Sequence, residues 1–180
     1  MRERIVVMAG AAVALSALLI AAAPAQTPPG IELAPAPQPK PQSGYQKVYR
    51  LAGIGINDHL YSTNPDEVRR VTDAGGYRLD GVGFYVLDRE YMDSVPLYRF
   101  SYQTSHHFLH TDRNGGTVEG ARLEGTIGYV DQQPRAGTVP LYAWINPTTG
   151  DCFYTTDRKG EQAPQMGMQY RGIVCYVGQV

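Results

Sequence analysis

The sequence predicts an all-β domain of pseudo-threefold symmetry, closed in the manner of a β-trefoil, and three observations carry that expectation. The chain of 180 residues holds 20 glycines and 13 tyrosines, a composition that favours short strands and turns. One block occurs three times: "NDHLYSTN" from Asn57, "SHHFLHTD" from Ser105 and "GDCFYTTD" from Gly150. Each copy lies between an opening and a closing block that repeat with it. The openings are "VYRLAG" from Val48, "LYRFSY" from Leu97 and "LYAWIN" from Leu141; the closings are "DGVGFYV" from Asp80, "EGTIGYV" from Glu124 and "RGIVCYV" from Arg171. The register defines repeats over 48–88, 97–131 and 141–178. Units of this size cannot bury a core alone. A single closed body of twelve short strands over residues 45–180 follows, with a small sandwich or a three-bladed arrangement as the alternative.

In chain order, Arg2 and Arg4 precede an apolar run from Ile5 to Ala23, which ends in Ala23-Pro24-Ala25. This is the pattern of a secretory signal peptide over 1–25, with a retained membrane anchor as the alternative. Residues 26–44 are crowded with proline and nearly free of aromatics, so they read as an extended linker. The expected location is secreted or periplasmic, with no membrane association after cleavage. The charges nearly balance, 16 Lys and Arg against 17 Asp and Glu, and no basic stripe suggests nucleic acid. A monomer is expected.

Within each repeat the opening block has the β-branched and aromatic composition of a strand. The middle block alternates. Leu60, Phe108 and Phe153 are apolar in every copy and are assigned to the core. The opposite face carries His59, Tyr61 and Thr63, with their counterparts, and is expected to be outer or half-buried. After the first middle block, Pro65, the acids that follow it and Gly75-Gly76 predict a short helix. The other two copies carry glycines or a proline there, which weakens a helix. Gly81, Gly125 and Gly172 share one position in the closing block, the mark of a turn, bulge or close backbone approach.

The chemistry is sparse. His59, His107 and Cys152 occupy one repeat position and would make a His-His-Cys metal set if they converged. The preferred reading is a disulfide between Cys152 and Cys175 in an oxidising compartment, worth about 3 kcal/mol, with His59 and His107 as half-buried hydrogen-bonded imidazoles. His106 and His110 lie roughly 13 Å apart on an extended strand and cannot share one ion. No metal or cofactor is expected. No nucleophile–base motif or carboxylate pair stands out, so the chain is read as a non-enzyme, a small secreted hydrolase being the weakest alternative. Sugars present an apolar face and a rim of hydroxyls. Asn57, Asp58, His59, Tyr61 and Asn64, with His107, Trp144, Asn146, Asp151, Tyr154 and Asp157, offer aromatic and amide or acid groups that suit a polysaccharide or cell-wall ligand. The competing reading is a structural or protein-interaction scaffold.

The stretch "LYAWINPTTGDCFYTTD", followed by "YRGIVCYV", resembles a secreted repeat family catalogued as domain of unknown function 5648. Its usual form is Y-R-x-Y-N-x-x-T-G-D-H-F-Y-T, then Y-x-x-E-G-I-x-x-Y-V. The resemblance extends over all three repeats, from Val48 to Val177. Such domains accompany extracellular hydrolases in bacterial and fungal proteins, which implies an accessory or surface-binding module and assigns no catalytic residue. Cys152 stands where the family has His, Ser105-His106 where it has Gly-Asp, and Leu109-His110 where it has Tyr-Thr.

Overall fold

The three blocks of each repeat become three antiparallel strands. The structure, a computed structural model, describes residues 44–103 and 106–179. The segment read as a signal peptide and nearly all of the proline-rich stretch lie outside the described residues. Repeat one forms β1 (Tyr45–Gly53), β2 (His59–Ser62), α1 (Pro65–Asp73) and β3 (Tyr77–Leu87). Repeat two forms β4 (Val95–Tyr102), β5 (His106–His110) and β6 (Arg122–Val130). Repeat three forms β7 (Thr138–Ile145), β8 (Cys152–Thr155) and β9 (Gln169–Gly178). The opening strand of each repeat lies between its two partners: β1 between β2 and β3, β4 between β5 and β6, β7 between β8 and β9.

The expected all-β class holds. Two finer expectations do not. The described residues form nine strands rather than twelve, because each closing block is one long bent strand and not two short ones. The sheet is not closed: β5 and β8 end its path without pairing to each other. The repeats touch through their last strands instead, at Leu87 and Tyr129, at Tyr85 and Gly178, and at Asp131 and Tyr176.

Two register shifts bend every closing strand. At the first of these along the strand, Asp80, Glu124 or Arg171 is the extra residue, since Arg50 pairs with Gly81 and Leu51 with Leu79, and so on in the other copies. The next residue has φ of 121° at Gly81, 156° at Gly125 and 128° at Gly172, a backbone only glycine adopts at low cost. The repeated glycine is therefore a bulge residue, and the bulge presents the side chain before it to the opening strand.

Each repeat carries a small apolar pair between its first two strands. The facing residues are Leu51 and Leu60, Phe100 and Phe108, and Trp144 and Phe153. The excursion after the middle strand covers the pair, and Leu60, Phe108 and Phe153 are buried as expected. In repeat one the cover is α1, through Val68. Asn64 caps that helix by accepting from the Asp66 and Glu67 amides. In repeat two it is the turn at Gly115, in repeat three Ala163 and Met168.

The opposite face of the middle strands differs from expectation. His59, Tyr61, Cys152 and Tyr154 are all buried. They point inward because that face meets the other repeats, where Tyr61 and Tyr154 join the central core with Phe84, Leu97 and Val177.

The disulfide is a further correction. Cys152 and Cys175 are both free and buried. β7 runs between their strands, pairing Ile145 with Cys152 and Leu141 with Cys175. Strands two apart are separated by about 9.5 Å, beyond the roughly 7 Å that a disulfide spans between Cα atoms.

Candidate functional site

The repeated polar residues meet where one repeat abuts the next. At the junction of repeats one and three, His59 Nδ1 donates to the Asp151 carboxylate at 2.8 and 3.1 Å. The Tyr61 hydroxyl donates to the Tyr154 carbonyl at 3.1 Å and accepts from its amide at 2.7 Å. Arg50 grips Glu161 through two bonds of 2.8 and 2.9 Å, and its guanidinium lies 4.7 Å from the centre of the Phe153 ring. Asp80, on the bulge, stands 3.8 Å from Arg50 Nε. Each of these charged side chains has an oppositely charged group within 4 Å, as burial favours, although Arg50 Nε and Asp80 Oδ2 are left without a hydrogen bond.

The junction of repeats one and two follows the same plan. Asp58 accepts from His107 Nδ1 at 2.7 Å, from the His107 amide at 2.8 Å and from the Tyr77 hydroxyl at 2.6 Å. Arg99 grips Glu67 at 2.8 and 2.9 Å and the bulge residue Glu124 at 2.7 Å. It also donates to the Tyr61 carbonyl at 2.9 Å, the place a tyrosine at 109 would serve. Burial alone would lower the His107 pKa, but the hydrogen bond to Asp58 and the Glu124 carboxylate 3.7 Å from Nε2 outweigh it and raise it to about 9. The His107 imidazole 3.7 Å away, aided by Arg99 and against the opposing effect of burial, holds Glu124 down to about 2.

The junction of repeats two and three breaks the plan. One element survives: the Tyr154 hydroxyl accepts from the Leu109 amide at 3.0 Å and donates to its carbonyl at 3.2 Å. Elsewhere the partners have changed. His106 stands in the aspartate position and Cys152 in the histidine position. Ala143 replaces the arginine and Arg171 the bulge acid. Gly115 and Gly116 lie where the excursions of the other copies bring Glu67 and Glu161. Burial pushes the Cys152 thiol up to about 12, which disfavours the thiolate. The Nδ1 of His106 is buried without a partner.

The lost side chains leave a cavity of about 500 Å³ along this junction. Ile145, Ile173 and Tyr102 supply apolar and aromatic surface, and His106, His110 and Arg171 supply hydrogen-bond donors. No Asp or Glu lines it among the described residues. A second cavity of about 500 Å³ lies beside Tyr45 and Tyr91. Its charges are already paired, Arg135 with Asp131 at 3.0 Å and Arg89 with Asp88 at 3.1 Å, so it offers a ligand less.

The residues picked from sequence fall mostly elsewhere. Asp58, His59, Tyr61, Asp151 and Tyr154 are buried, and with the half-buried His107 they hold repeats together. Asn64 caps α1. Asn146 accepts from the Thr148 and Thr149 amides, and Asp157 accepts from those of Lys159 and Glu161; both are turn residues. Trp144 is half-buried against Gly160, whose missing Cβ makes room for the indole. Asn57 is exposed and brings no other picked residue with it. The structure thus does not assemble these residues into one surface. Tyr102, His106, His110 and Arg171 were not picked. The available signal was departure from the repeat: His106, Ala143, Cys152 and Arg171 each break it, and all four line one cavity.

Fold and junctions define an all-β domain of three sequence repeats, interlocked by buried ion pairs and open at one junction. A family model described as domain of unknown function (DUF5648) matches residues 31–118 and 111–178, and the chain belongs to this family. No curated protein and no solved structure matches it.

Proposed function

We propose that this chain is a secreted, non-catalytic binding module for a polysaccharide or other cell-envelope component, and that it binds at the junction of repeats two and three. The observation that carries the reading is the cavity there, opened by the loss of the groups that fill the other two junctions. Its chemistry suits a sugar: aliphatic and tyrosine surface for the apolar face, and His106, His110, Arg171 and Tyr102 for hydroxyls. Binding of this kind uses a concave site of mixed polarity. The signal peptide read over 1–25 and the proline-rich stretch behind it support secretion and a spacer. The three contacts between β3, β6 and β9 support a pseudo-threefold body, a rigid frame for one altered junction. The chain acts as a monomer, with no cofactor and no nucleic acid partner.

The test is a pull-down of the full-length protein on insoluble peptidoglycan, chitin and cellulose. Ile173 is 47% exposed, so Ile173→Asp alters the cavity without touching the core. Retention of the wild type, and its loss in folded Ile173→Asp and Tyr102→Ala variants, is expected. Equal retention of all three proteins would move the site elsewhere. No retention of the wild type would favour the scaffold reading, which draws support from how fully the repeated residues are spent on internal bonds.

A further inference from the structure

We infer that the cavity between repeats two and three selects an acidic sugar, one whose carboxylate takes the place of the carboxylates that this junction has lost. The inference rests on the cavity being the binding site and names the class of its ligand.

The comparison is internal to the molecule. At the other two junctions each arginine is matched by carboxylates of its own chain: Arg50 by Glu161 and Asp80, Arg99 by Glu67 and Glu124. Asp151 and Asp58 likewise match His59 and His107. At the third junction every acid position has changed. His106 replaces aspartate, Arg171 replaces the bulge acid, and glycines replace the excursion glutamate. The bulge residue here is the cationic Arg171, which is exposed and lines the cavity. Arg171 forms no ion pair among the described residues, and no carboxylate lines the cavity. His106 and His110 line the same space, and an imidazole N–H can donate to a ligand oxygen. A guanidinium fork matches a carboxylate bidentately, as Arg50 does with Glu161.

The rest of the lining sets the remainder of the ligand. Tyr102, Ile145 and Ile173 offer apolar surface, against which a pyranose ring can lie. A carboxylated pyranose satisfies both parts of the site; a neutral hexose leaves Arg171 unmatched. Two sources share this chemistry, hexuronate polymers and the lactyl carboxylate of muramic acid, and separate probes distinguish them.

The experiment is calorimetric titration of the full-length protein with three soluble probes: a hexuronate oligomer, a neutral hexose oligomer of equal length, and a muramic-acid-containing disaccharide. Proteins tested are wild type, Arg171→Gln, and the double variant Ala143→Arg with Arg171→Glu. The double variant restores at this junction the arginine and the bulge acid found at the other two. At least one acidic probe is expected to bind about tenfold more tightly than the neutral one, a ratio within reach of one charge-assisted pair. Arg171→Gln should erase that ratio, and the double variant should bind no probe while melting as a folded protein. Equal binding of acidic and neutral probes, both lost in the double variant, would overturn the selection for acid and leave the cavity as the binding site. An acidic preference that persists in Arg171→Gln would also overturn it. Absence of binding by any probe, with polymer retention still abolished by Ile173→Asp, would reject the acidic-sugar class alone.

Discussion

His59 Nδ1 lies 2.8 Å from Asp151 Oδ2 and joins the first repeat to the third across 92 positions of sequence. Both groups are buried, with side-chain exposures of 4% and 5%. Asp58 and His107 repeat the bond between the first repeat and the second. The repeated Asp-His step is a fastener whose two residues face opposite neighbours, so one copy engages two others.

Removing one partner leaves the other buried and unmatched. Asp151→Ala should therefore cost about 3 kcal/mol, against no more than about 0.5 kcal/mol for Asp66→Ala, whose partner Arg69 is exposed. Urea unfolding of the two variants checks this. Similar costs for both would remove the fastener role.

The His107 cluster predicts a pH dependence. The folded pKa is raised from 6.5 to about 9, so its contribution to stability is full below about 6.5 and fades as pH rises through about 9. Glu124 is lowered from 4.5 to about 2, so its contribution is full above about 4.5 and fades as pH falls through about 2. Urea midpoints should decline from pH 6.5 to 9.5, and His107→Gln should flatten that limb. A midpoint that rises over this range would contradict the cluster geometry.

The bulge glycines offer a test of backbone alone. At Gly81 an added Cβ would meet nothing within 4 Å, yet φ is 121°. Gly81→Ala should cost about 1–3 kcal/mol through backbone strain, read as a lowered thermal midpoint. An unchanged midpoint would mean that the bulge relaxes freely.

Much of this fold was legible in the sequence because it is local. Repeat register, the helix begun at Pro65, the apolar trio Leu60, Phe108 and Phe153, and the special glycines all follow from short-range pattern. The burial of Tyr61 and Tyr154 was not legible. Alternation separates two faces of a strand but does not say which one meets another repeat. The cysteines misled for a related reason. Cys152 and Cys175 share a repeat, but the order within it puts β7 between their strands. The altered junction was visible only in fragments: His106, Cys152, Ala143 and Arg171 each depart from the repeat, and packing of two repeats is what gathers them.

The thiols give a direct chemical check on that order. Cys152 and Cys175 are 8% and 1% exposed, and burial raises both pKa values. Iodoacetamide should leave the folded protein unmodified and label both cysteines after unfolding without reductant, as read by mass spectrometry. Labelling that requires reductant would establish a disulfide and refute the strand order.

The most direct measurement is amide chemical-shift mapping of the isotope-labelled protein during titration with soluble fragments of a bound polymer. Shifts should concentrate at Tyr102, His106 to Thr111 and Arg171 to Val174, the two walls of the altered junction. Shifts concentrated instead around Asn57, Trp144 and Asp157, with those walls silent, would contradict the assignment of binding to the junction where the repeat breaks down.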